Sequence, residues 1–184
     1  MDLLDFDGEP MYFDEPVSPE VERLLDEAAE GYGDDTAEDR LLLAYFLQPE
    51  HLTVLVALYR YFYYRHRYRE ALITADRAIA LTAARLELPA DWRELRESDL
   101  GESVLISMSL TRFLLLALKG SGYLLFRLGD AAGALKRFEK IAEVDTSDRL
   151  GVGELHAMAR SAVTRSAIEC AGGNVRYFNG SSKT

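Results

Sequence analysis

The chain has 184 residues, 48% of them hydrophobic, with one cysteine (Cys170) and a net charge of −10. That is enough apolar material for a single domain with a real core, and the lone cysteine excludes an intrachain disulfide. An acidic chain offers little to a phosphate backbone, so nucleic acid is not an expected partner.

The charge is uneven along the chain. Residues 1–39 hold fifteen Asp and Glu against Arg23 alone, a balance of −14, and the remaining 145 residues sum to +4. The acidic start is the opposite of a targeting segment, which points to the cytoplasm. Residues 1–17 lack helical periodicity and contain Gly8, Pro10 and Pro16. They read as an extended arm whose Leu3, Leu4, Phe6, Met11, Tyr12 and Phe13 suit docking better than spacing.

Ser18 followed by Pro19, with Glu20 and Glu22 in the first turn, predicts a helix from there to about Gly31–Gly33. Thr36 caps a second helix that runs to Gln48, where Pro49 stops it. A third helix over about 50–66 carries a dense aromatic cluster. Tyr59, Tyr61, Phe62, Tyr63, Tyr64 and Tyr68 make up six of the 18 Tyr and Phe in the chain, too many for one buried stripe. A fourth helix runs over 68–86. Pro89, the single tryptophan Trp92 and a run of Arg and Glu follow, predicting a short helix over 92–96. Ser98 or Asp99 then caps a long helix over 101–128. The apolar run 104–126 holds Arg112 and Lys119, so it reads as a buried helix and not a membrane span. A helix over 131–144 precedes a last one that begins at Ser147 or Asp148 and is stopped by Gly172–Gly173. The residues 172–184 form a tail.

Ala37 and Ala71 lie 34 residues apart, and their neighbours fall into one frame. Repeat one (18–51) places Val21, Leu24, Leu25, Ala28, Ala37, Leu41 and Pro49. Repeat two (52–85) places Leu55, Leu58, Tyr59, Phe62, Ala71, Ala75 and Ala83. A third copy (115–148) brings Leu118, Gly122, Leu125, Ala134 and Phe138 after an insertion at 86–114. Small residues at 37, 71, 122 and 134 allow close approach of two helix backbones, and large apolar neighbours fill the grooves alongside. This spacing and pattern resemble the tetratricopeptide (TPR) repeat family. The first-position aromatic of that family is absent here, and of its prolines only Pro49 stands in place.

The resemblance implies an all-α fold: a TPR-like right-handed superhelix of about three helical hairpins, closed by a C-terminal capping helix over 149–171. The alternative is an ordinary amphipathic bundle. The resemblance also implies a non-enzymatic scaffold that binds a protein or peptide partner, with no cofactor. The first helix of each TPR repeat lines a concave groove. Matching positions in repeats two and three give Val56, Arg60, Tyr63, Tyr64, Lys119, Tyr123, Phe126 and Arg127 as the partner-binding set. Such a surface suits an acidic peptide with aromatic side chains. Tyr63 and Tyr64 have a second reading, packing beneath the inserted segment. The groove lacks the asparagines of the chaperone-binding carboxylate clamp.

Other occupants of the groove are the chain's own arm or a second copy, giving a homodimer. No membrane contact and no metal site are expected: His51, His66 and His156 have no ligand spacing to one another or to Cys170. A small enzyme remains a third alternative, though the sequence carries no HExxH, phosphate-loop, CxxC or GxSxG motif.

Overall fold

The Ser18 hydroxyl accepts a hydrogen bond from the Val21 amide at 3.4 Å and starts the first helix where the sequence places it. The computed structural model describes residues 15–31 and 36–172. All regular structure among them is helical: α1 (Pro19–Glu30), α2 (Thr36–Leu47), α3 (Leu52–Tyr64), α4 (Tyr68–Arg85), a 3-10 turn (Trp92–Glu94), α5 (Glu97–Ile106), α6 (Met108–Arg127), α7 (Ala131–Val144) and α8 (Gly153–Gly172). Residues 1–14 of the expected arm, and the tail beyond Gly172, lie outside the described residues.

Consecutive helices pack in pairs, α1 on α2, α3 on α4, α6 on α7 and α7 on α8, while α4 joins the middle pairs by packing on α6. The composition of α4 explains its central place. Its buried positions are Ala71, Thr74, Ala75, Ala78, Ile79, Thr82 and Ala83, a stripe of mostly small side chains that lets two neighbours come close. The two threonines are satisfied locally, donating to the carbonyls of Glu70 (2.9 Å) and Ala78 (2.7 Å). Ala37, Ala71 and Ala134 are fully buried, and Leu55 and Phe62 also point into the core. Gly122 is required by packing: a Cβ there would lie 2.7 Å from the Phe138 ring.

The α3–α4 and α6–α7 pairs share one turn. In the first, His66 is left-handed (φ 58°); the Arg67 amide donates to Phe62 O at 2.8 Å and the His66 amide to Tyr63 O at 3.0 Å. In the second, Gly129 is left-handed (φ 88°); the Asp130 amide donates to Leu125 O at 2.9 Å and the Gly129 amide to Phe126 O at 3.1 Å. Both are Schellman caps, and every partner is offset by the 63 residues that separate Ala71 from Ala134.

Three expectations are corrected. The long helix over 101–128 is two helices, because Ser107 is extended (φ −159°, ψ 113°) and its hydroxyl accepts from the Leu110 amide at 3.2 Å, capping α6. The Thr111 hydroxyl donates to Ser103 Oγ at 3.0 Å and ties the two helices across the break. The helix over 92–96 is a single 3-10 turn, opened by Asp91, whose carboxylate accepts from the Arg93 amide at 3.0 Å. The last helix begins at Gly153, later than expected, because Asp145 and Asp148 are used to fold a loop: their carboxylates accept from the amides of Leu150 (2.9 Å) and Val152 (2.6 Å).

Candidate functional site

The ends of α3 and α6 and the start of α4 converge. Tyr63 lies 6.4 Å from Tyr123 and 6.2 Å from Tyr68, ring centre to ring centre, and stacks on Tyr59 at 5.9 Å. The shared turn is the local cause, since the Schellman cap reverses the chain and brings Tyr68 back beside Tyr63. Arg127 follows Tyr123 by one helical turn, so its guanidinium donates to the Tyr123 hydroxyl at 3.0 Å. It also lies over the Tyr68 ring at 4.7 Å, a cation–π contact. Burial, and then the neighbouring Tyr123 phenol with its hydrogen bond, push the Tyr63 hydroxyl up to about 12. The surface therefore presents the neutral Tyr63 phenol among aromatic rings, with the Arg127 cation beside it. Such groups hold carboxylates and apolar or aromatic side chains by hydrogen bond, charge and stacking.

The other sequence-chosen residues divide between this cluster and its surroundings. Tyr64 is exposed and packs edge-on against Tyr63 at 5.4 Å. With Arg60 it lines a cavity of about 450 Å³ between α3 and Leu25, Ala28 and Ala29 of α1. Phe126 is half-buried against the core. Val56 is buried, only 5% exposed, because its side of α3 faces the core; it is not presented to a partner. Lys119 shares the α6 face of Tyr123, but its ammonium donates to the Leu150 carbonyl in the loop before α8. The expected single surface joining Arg60, Lys119 and Arg127 is thus interrupted at Lys119. Tyr63 packs among Tyr59, Tyr64, Tyr68 and Tyr123, while the Leu95 carbonyl of the insertion accepts from Lys140 of α7 at 3.1 Å.

Tyr68 and His66 were not among the chosen residues. His66 Nδ1 is 2.9 Å from the Tyr68 hydroxyl, so both belong to the cluster. Their signal in the sequence was the aromatic density up to Tyr68; the groove template stops one turn short of them.

Beyond Tyr123, the same α6 helix borders a second cavity of about 600 Å³, closed by α5 and by the loop between α7 and α8. Leu100, Leu115 and Val144 form its apolar floor. Among the described residues, no group of three or more His, Cys, Asp or Glu is placed to hold a metal ion, and no helix is long and apolar enough to cross a membrane.

These features define an all-α protein of paired helices with an aromatic and cationic face. The chain belongs to the family of a protein of Azotobacter chroococcum mcd 1 described as an uncharacterized 19.8 kDa protein in the nifW 5′ region. The two are 48% identical over 151 residues, 82% of this chain and 84% of that one. No family model and no solved structure matches the chain.

Proposed function

We propose that the protein is a cytoplasmic, TPR-like adaptor or assembly factor, without catalytic activity of its own. In this reading, the face formed by Tyr63, Tyr68, Tyr123 and Arg127 receives an acidic, aromatic segment of a partner protein. The observation that carries it is the meeting of Tyr63 and Tyr123 at 6.4 Å with Arg127 laid over Tyr68. Two helices related by the 63-residue offset thereby build one half-exposed surface from residue types that dominate binding hot spots. The 63-residue offset that relates the α3–α4 and α6–α7 turns and their buried Ala71 and Ala134 supports the TPR-like repeat. The setting of the A. chroococcum relative beside nifW makes products of the same gene region the first partners to test.

The test is calorimetric titration of purified products of the neighbouring genes into the protein and into Tyr123→Ala and Arg127→Glu variants. A saturable complex weakened about 30-fold or more by either change is expected, the loss of a hot spot worth about 2 kcal/mol. A complex indifferent to both changes would move the partner surface elsewhere.

Self-association is a second reading, favoured by one observation. Phe46 (75% exposed) stands with Leu43 (42%) and Leu47 (44%), one turn before and one position after it, on the outer side of α2. Light scattering across a concentration series separates the readings: Phe46→Asp dissolves a dimer built on this face and leaves a monomeric adaptor unchanged.

A further inference from the structure

We propose that the cavity between α5, α6 and the loop before α8 is a docking site for residues 1–14 of the same chain. The inference is independent of the adaptor reading, because it concerns a different surface and a different occupant. The first described residue, Glu15, four positions before α1, is fixed in place. Its carboxylate pairs with Arg85 at the end of α4 (2.9 Å), and its carbonyl oxygen lies 3.0 Å from Nε2 of the buried His51 at the start of α3. Residues 1–14 must therefore depart from this end of the molecule.

The cavity opens toward the same end. Tyr68 at the start of α4 meets Arg127 at the end of α6, and Asp76 and Ser121 share Arg137 as a hydrogen-bond donor. The two helices thus run antiparallel, and nine residues beyond Asp76 bring Arg85 to the level of Arg112 on the cavity wall. Two helix widths, about 20 Å, separate the anchor from the cavity mouth. Fourteen extended residues span about 46 Å, so the tether is ample.

The chemistry of cavity and segment is complementary. Residues 1–14 carry Asp2, Asp5, Asp7, Glu9 and Asp14 with no Lys or Arg, interleaved with Leu3, Leu4, Phe6, Met11, Tyr12 and Phe13. The wall carries Arg112, Lys119 and Arg149 against Glu97 and Asp145, a net positive lining in which Lys119 also donates to the Leu150 carbonyl and the Leu150 amide to Asp145. Its edge is apolar and open: Val104 and Met108 of the lining are 38% and 69% exposed, and Leu105, next to Val104 on α5, is 86% exposed. A small ligand would fill the cavity and leave that edge in water, whereas a peptide segment covers both. The cavity beside α1 has one charged lining residue, Arg60, against the three cations here, and it borders a helix that carries Glu20, Glu22, Asp26, Glu27 and Glu30 against Arg23.

Full-length protein with Cys170→Ser and Leu105→Cys, carrying a nitroxide on the new thiol, tests the assignment by paramagnetic broadening of backbone amides. The amides of residues 3–13 are expected to lose most of their intensity with this label and to keep it with the label on Ile73→Cys, on the outer side of α4. Raising salt from about 0.05 to 0.5 M, and separately Arg149→Glu, should restore much of the lost intensity. Full intensity with the Leu105→Cys label, equal loss from both labels, or loss indifferent to salt and to Arg149→Glu each overturn the proposal. So does broadening seen only when label and isotope sit on different molecules, which would assign the segment to a second copy.

Discussion

Tyr63 is held neutral by its surroundings: partial burial and the adjoining Tyr123 phenol both oppose a phenolate. The direction of the linkage follows. A tyrosine raised from 10 to about 12 contributes its stabilisation fully below pH 10, and loses it as pH climbs through 12. In an ultraviolet titration of phenolate absorbance, the difference between the wild type and Tyr63→Phe should therefore show one late ionisation near pH 12. The variant should also lose less stability than the wild type between pH 10 and 12. A difference curve centred at 10 would show that Tyr63 is solvated and that the cluster is looser than described.

At the scale of elements, the paired helices owe their closure to a left-handed residue at the same place in two turns. Gly129 adopts φ 88°, and a Cβ there would meet no atom within 4 Å, so a side chain costs conformational energy alone. Gly129→Ala should destabilise by about 1–2 kcal/mol, read as a lower urea midpoint at unchanged slope. These turns show why the sequence was legible where it was. Ser18 and Pro19 act locally, through a cap and a first-turn proline that a short window contains, and Ala71 and Ala134 mark the repeat frame, so most helix boundaries could be read directly. The break at Ser107 could not, because it lies inside a run of apolar residues with nothing nearby that forbids helix. Its one local mark is the Ser107 cap itself; the Thr111–Ser103 bond and the packing of α5 back onto α6 are tertiary and carry the rest. The binding set was read less well for a related reason. Template phasing places a side chain on a helix face but says nothing of what lies opposite, and so it missed that Val56 faces the core and that Lys119 is drawn to Leu150.

For the molecule as a whole, the α4–α6 packing that joins the hairpins is tied to α7 and the insertion by a buried cation. Arg137 of α7, 8% exposed, donates to Asp76 of α4 at 2.8 Å and to Ser121 of α6, and its guanidinium lies 5.3 Å from the ring of Trp92 in the insertion. Four segments distant in sequence meet at this one side chain. Helical repeats that touch only their neighbours can melt piecewise, whereas a shared buried charge makes their unfolding cooperative. Trp92 is the only tryptophan, so its fluorescence reports this junction, while far-ultraviolet circular dichroism reports all the helices. The two urea transitions should coincide in the wild type. Asp76→Ala leaves Arg137 short of its carboxylate partner and should cost about 1–3 kcal/mol. It should also shift the Trp92 emission of the folded state, a change that a loss of surface charge remote from the junction would not produce. If the fluorescence transition came well before the loss of helix in the wild type, the insertion would be a separately melting appendage. Arg137 would then not be the tie that makes the hairpins one cooperative unit.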